Sequence, residues 1–252
     1  MARTFASSKA AERNFQKALK RLARIVAGMV QTHIHGSRLS DGEQMMRLLR
    51  EYAKVLTPWA TRVAHDMVDD VARTNRKAFE RRSRTAGMAL RGPLAASLEG
   101  QTARMLQHRQ VELITSLPIQ AGERAQRLAQ QAQHDGTRAA EIAEQLAQTE
   151  QVTVSRATLI ARTEVAKANA ALTQARAEAV GATHYQWETV EDADTRDTHA
   201  AMQGTVHRFD TPPTLGDGMT GNPGEFPNCR CFAVPILHGE PMGAASLEGQ
   251  AA

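Results

Sequence analysis

Two cysteines one residue apart, Cys229 and Cys231, and two histidines upstream, His199 and His207, are the residues of this chain best suited to hold a metal. Thiolate and imidazole are zinc ligands, and four such donors close a tetrahedral structural site. A structural zinc is therefore the cofactor this set would hold. The same two cysteines have a second reading. Flanking Arg230 on a strand, they point to one face as small buried apolar groups. A disulfide between them is excluded by spacing, because a bridge that short is badly strained. Synthesis in a reducing cytoplasm fits free thiols.

These residues fall in one compact stretch, Glu188 to Phe232, which reads ETVEDADTRDTHAAMQGTVHRF, then a Pro/Gly-rich loop, then GNPGEFPNCRCF. The turn before His199 is charged, with Asp192, Asp194, Arg196 and Asp197. A metal-dependent DNA-processing enzyme is the alternative such a cluster raises. Its support is residue type alone, since H-E-x-x-H, G-x-S-x-G and P-loop patterns are absent. The reading taken is binding, without catalysis.

The elements that must position this stretch follow from pattern. Strands are predicted at Thr183–Val190, Thr205–Phe209 and Phe232–Ile236, the last at an edge because Pro235 cannot donate. The loop from Asp210 to Asn228 has no periodicity, and a loop that long in a compact module is functional or pinned. Ser155 caps a helix over Arg156–Val180, with Leu159, Ile160, Ala168, Leu172 and Ala175 as its apolar stripe and Gly181 as its stop.

Upstream the chain reads as helices. One runs from Ser8 to about Met29 through Phe15, Leu19, Leu22 and Val26. Ser40 and Glu43 fit a capping box. Thr57-Pro58 and Ser116-Leu117-Pro118 read as stops and restarts, with further helices over Ile119–Gln133 and Thr137–Ala147. Met105 belongs to a buried face, and so do Ile142 and Leu146. A segment AASLEGQ occurs twice, at Ala95 and Ala244. It is too short and too widely spaced for a repeat architecture.

The charge is uneven. Residues 1–91 carry 19 Lys and Arg against 8 Asp and Glu, a net of +11, and residues 92–252 carry 12 against 19, a net of −7. The most basic run holds Arg73, Arg76, Lys77, Arg81, Arg82 and Arg84. Such an arm suits an acidic protein surface or a phosphate backbone. No apolar run approaches the ~20 residues that cross a bilayer, and the N-terminus lacks the apolar core of a secretory signal.

Taken in order, Ala161-Arg162-Thr163-Glu164, then Asp192-Ala-Asp-Thr-Arg-Asp-Thr-His199, Gly204, Pro223-Gly224 and Asn228-Cys-Arg-Cys231 resemble the phage Mu protein F-like family of head morphogenesis, or minor head, proteins. The resemblance spans about Leu106 to Pro235. In some members the positions matching Arg196 and His199 are both cysteine. The family implies that Arg162 and Glu164 face the turn and join Asp192, Asp194 and Arg196 in a structural polar network. It implies a component of the virion or procapsid, made in the host cytoplasm. Such a component acts at the portal vertex or capsid interior in head assembly, DNA packaging or DNA delivery. The partners implied are the portal protein first, a major capsid or scaffold protein second, and duplex DNA without sequence preference third. The expected architecture is α+β. It has a basic helical arm over 1–104, a head-morphogenesis domain over 105–237 made of a long helix and a short antiparallel sheet, and a tail over 238–252.

Overall fold

The structure is a computed structural model that describes residues 5–36, 42–85, 93–135 and 139–237. Ser40 of the expected capping box, the tail and the second AASLEGQ copy lie outside these residues, as do the side chains of Ile142 and Leu146. Four helices come first, α1 (Lys9–Gly36), α2 (Gly42–Thr85), α3 (Pro93–Asp135) and α4 (Ala139–Ala179). Then follow β1 (His184–Glu188), the short α5 (Asp197–Ala200), β2 (Val206–Arg208) and β3 (Phe232–Pro235). The class is α+β, mostly helical with a small antiparallel sheet at its C-terminal end.

The helices are longer than the prolines imply. Pro58 lies inside α2 and Pro118 inside α3. Proline removes one hydrogen bond and crowds the preceding turn. The apolar stripe, however, continues through both sites. Leu49, Ala53, Leu56, Ala60, Ala64 and Met67 are buried along α2, and Ile114, Leu117, Ala121 and Ala125 along α3. Burying that unbroken face outweighs one lost bond. The expected break before Ser155 is likewise absent, and α4 passes straight through it. The expected start near Ser8 and the expected stop at Gly181 hold. Ser8 Oγ accepts the Ala11 N–H at 3.2 Å. Gly181, at φ 76°, ends α4, with the Ala182 N–H returning to the Ala177 carbonyl at 2.9 Å. Met105 and Leu159 are exposed, contrary to the stripe reading.

The described chain forms two compact units. One takes residues 12–66 and 107–161. Its core holds Phe15, Leu19, Leu22, Val26, Leu49, Ile114 and Leu117. Gly122 of α3 allows close approach there, since a Cβ would stand 2.5 Å from Met46 Sδ and 2.8 Å from Leu49 Cδ1.

The other unit takes residues 1–11, 67–106 and 162–252. A buried polar knot ties its helices. Arg176 of α4 donates to Glu99 of α3 at 2.7 Å and to the Ala72 carbonyl of α2 at 3.1 Å, and it also reaches the Asn75 amide oxygen. Asn75 in turn donates to Asn169 Oδ1 at 2.8 Å and Thr173 Oγ1 at 2.7 Å. Asn169 donates to the carbonyl of Phe5 at 2.7 Å, which fastens the N-terminal segment. Burial pushes the Glu99 carboxyl up, but the hydrogen bonds and charges of Arg76 and Arg176 outweigh it, so the net shift is downward.

The sheet of this unit has the order β2-β1-β3, both pairs antiparallel, with Trp187 opposite Ala233 and Tyr185 opposite His207. Tyr185 and Trp187 alternate inward and are fully buried with Phe209, Phe226 and Phe232, and with Phe5 and Phe79 from upstream. Leu172 is buried as well. The Tyr185 hydroxyl donates to Asn222 at 2.8 Å, and burial pushes its pKa upward. Replacing a buried aromatic by alanine costs about 3–5 kcal/mol. Trp187→Ala should therefore lower the thermal stability of this unit by that order. An unchanged melting curve would show that the indole is not a packing centre.

Candidate metal centre

Three donors converge where the sheet meets α5. His199, Cys229 and Cys231 are buried, and one ligand atom from each lies within 4.8 Å of the others. His199 Nδ1 stands 3.4 Å from Cys231 Sγ and 3.5 Å from Cys229 Sγ. With zinc–sulfur bonds near 2.3 Å and zinc–nitrogen bonds near 2.0 Å, the edge of a ligand tetrahedron is about 3.5 Å. The nitrogen–sulfur spacing already has that length.

Local structure sets each donor. His199 rides on α5, whose first turn follows a tight turn in which Asp192 accepts the Thr195 backbone N–H at 2.9 Å and its hydroxyl at 3.2 Å. Gln203 staples the far side, accepting from the Thr189 N–H at 2.7 Å and donating to Glu188 at 2.7 Å. Cys229 follows Asn228, which adopts φ 56° and donates its N–H to Thr163 Oγ1 of α4 at 3.1 Å. Asparagine tolerates this left-handed backbone. Gly224, at φ 93°, brings the loop onto α4. A Cβ there would lie 3.2 Å from the Ala166 carbonyl and 3.3 Å from that of Cys231. The loop is pinned, as its length implied.

The two thiols share one proton unequally. A hydrogen bond from Cys231 and one from His199 lower the Cys229 pKa, while Cys231, which keeps the shared proton, is raised by that bond and by burial. The indole N–H of Trp187 has no hydrogen-bond partner, yet it bears on Cys231 in the direction that favours the thiolate. His199 Nε2 is also without a partner, its ring set edge-on against Trp187 and Phe226 at centroid distances of 5.9 and 5.0 Å.

His207 is not brought to this set. It lies on β2, across β1 from the cysteines, with its Nε2 2.8 Å from Thr205 Oγ1, and Trp187 stands between the two histidines. Burial lowers its pKa.

The charged turn is clamped by a residue the sequence reading passed over. Arg230 donates to Asp192 Oδ1 at 2.6 Å, pairs with the other oxygen of the same carboxylate, and reaches Asp194 at 3.2 Å. Arg196 donates to the Pro227 carbonyl at 2.9 Å, joining turn to loop. Arg162 lines the adjoining cavity, and Glu164 is buried on α4 with Lys167 3.8 Å away. The one available signal for Arg230 was its place between the two cysteines, which puts it on the opposite face from them. In the basic run, Arg73 pairs with Asp70 at 3.0 Å, Arg76 with Glu99 at 2.7 Å and Arg84 with Glu80 at 3.8 Å. Lys77 and Arg81 are exposed, and Arg82 is half-buried.

This is a long-helix-plus-sheet module with a buried His/Cys/Cys cluster that could bind a metal. Residues 120–234 match the family described as Phage Mu protein F like protein, the family that the ARTE, DADTRDTH and NCRC segments resemble. An uncharacterized protein of Haemophilus influenzae is 32% identical over 127 residues, which is 50% of this chain and 28% of that protein. No solved structure matches the chain.

The Arg230 clamp is partly buried and two-pronged, so it contributes about 1–2 kcal/mol, above a fully exposed pair. Arg230→Ala and Asp192→Ala should each lower stability by that order. The double variant should lose little more than either alone. Additive losses in denaturant titration would show that the two groups do not act on each other.

Proposed function

We propose that this protein is a minor head protein of a tailed phage or prophage of Mu-like type, a structural component of the head that works by binding. The observation carrying this is the family match over residues 120–234. In this reading the protein is made in the host cytoplasm and ends in the procapsid or virion, at the portal vertex or capsid interior. Its role there is head assembly, DNA packaging or DNA delivery. The portal protein is the first partner, with capsid or scaffold protein and duplex DNA behind it. None of the described helices is long and apolar enough to cross a membrane.

His199, Cys229 and Cys231 would hold a structural zinc. The metal would cross-link α5 to the segment between loop and β3. Freshly purified protein should then carry about one zinc per chain, and Cys229→Ser or Cys231→Ser should release it. Metal-free preparations with unchanged stability would leave the cysteines as buried thiols.

Portal binding and DNA binding differ in their response to salt. Phosphate contacts make log affinity fall with log salt at a slope near ~0.9 per neutralised phosphate, whereas apolar burial is not screened. The full chain should hold the portal protein of its own phage at salt that strips duplex DNA. Neutralising Lys77, Arg81 and Arg82 together should weaken DNA binding more than portal binding. A chain that binds DNA but never portal would reverse the assignment of first partner.

A further inference from the structure

A cavity of about 300 Å³ adjoins the metal cluster. Its wall includes His199, Cys229 and Cys231 together with three guanidinium residues, Arg162, Arg196 and Arg230. Three donors leave one position of a tetrahedral metal open, and these same three residues line the cavity. A divalent cation with two thiolates and a neutral imidazole carries no net charge, so the lining sets the sign of the site, where Asp194 offsets one of the three arginines. Arg230 is answered by Asp192 and Asp194. Arg196 uses one donor on the Pro227 carbonyl, and a guanidinium has five.

We propose that this cavity receives a single carboxylate, from an acidic side chain of a partner protein, which binds beside Arg196 and takes the fourth position of the metal. The inference rests on the metal reading above. Size favours a side chain, because 300 Å³ is the lower end of what a small-molecule pocket needs. Charge disfavours a nucleic-acid strand. Glu191, Asp194 and Asp197 are exposed in the same turn, beside half-buried Asp192. A phosphate chain brings many charges to that acidic turn, while a lone carboxylate brings one. A forked guanidinium matches a carboxylate edge, and a lysine does not.

The test uses the full chain loaded with Co²⁺, whose visible absorption reports its ligands, and acetate as the probe. The expected result is a saturable acetate-dependent change in the cobalt bands. Arg196→Ala should weaken acetate about tenfold, as loss of one charge-assisted contact does, and Arg196→Lys should restore only part of it. Matching far-UV circular dichroism of the variants excludes misfolding as the cause. Cobalt bands that form but ignore acetate overturn this inference and leave the metal reading standing. Failure to take up Co²⁺ overturns both. A duplex oligonucleotide that shifts the bands and competes with acetate would make the occupant a phosphate, and the proposal of a carboxylate would be wrong.

Discussion

The buried guanidinium of Arg176 imposes on one unit a constraint of direction that apolar contacts lack. Its side chain is 4% exposed, and a charge so placed must be paired and fully hydrogen-bonded. It therefore dictates that Glu99, Asn75 and the Ala72 carbonyl meet it, which fixes α2 and α3 against α4. Burial alone pulls the Arg176 pKa down, and Glu99 offsets part of that pull. The chain has few aromatics for a core, 4% of its residues. The polar knot supplies a registry that small alanine faces could not, because alanines pack closely in many alignments.

The metal cluster depends on that frame at one remove. Cys229 and Cys231 sit on the far side of a long loop, and two devices on α4 fix where that loop lands. Thr163 accepts the Asn228 N–H, and the Ala166–Ala170 face admits Gly224. On the other flank Arg230 holds the turn that precedes α5. The donors come together because the backbone on both sides is held.

How legible this was in the sequence varies with the range of the physics. The switch from helical to alternating pattern after Gly181 located the three strands, and the Pro/Gly loop announced its own irregularity. His199 and the cysteine pair were found from ligand chemistry and from the family resemblance. His207 looked equivalent because sequence does not show which edge of a sheet a strand takes. Pro58 and Pro118 were misread as breaks because a proline penalty is local, whereas the apolar stripe that overrides it runs over several turns. Arg230 and the Arg176 knot were invisible for a related reason. Their partners lie 38 and 77 residues away, and an isolated arginine in a helix or beside a cysteine looks solvated.

The unit that holds the cluster is assembled from three separate stretches of chain, 1–11, 67–106 and 162–252. One of its ties, from Asn169 to the Phe5 carbonyl, closes 164 residues. A chain emerging from the ribosome can set Phe5 on Phe79 of α2 early, but the Asn169 bond waits for α4, and the sheet comes later still. Long-range closure of this kind is slow compared with helix formation. This unit accordingly closes only once its third stretch has joined the two earlier ones.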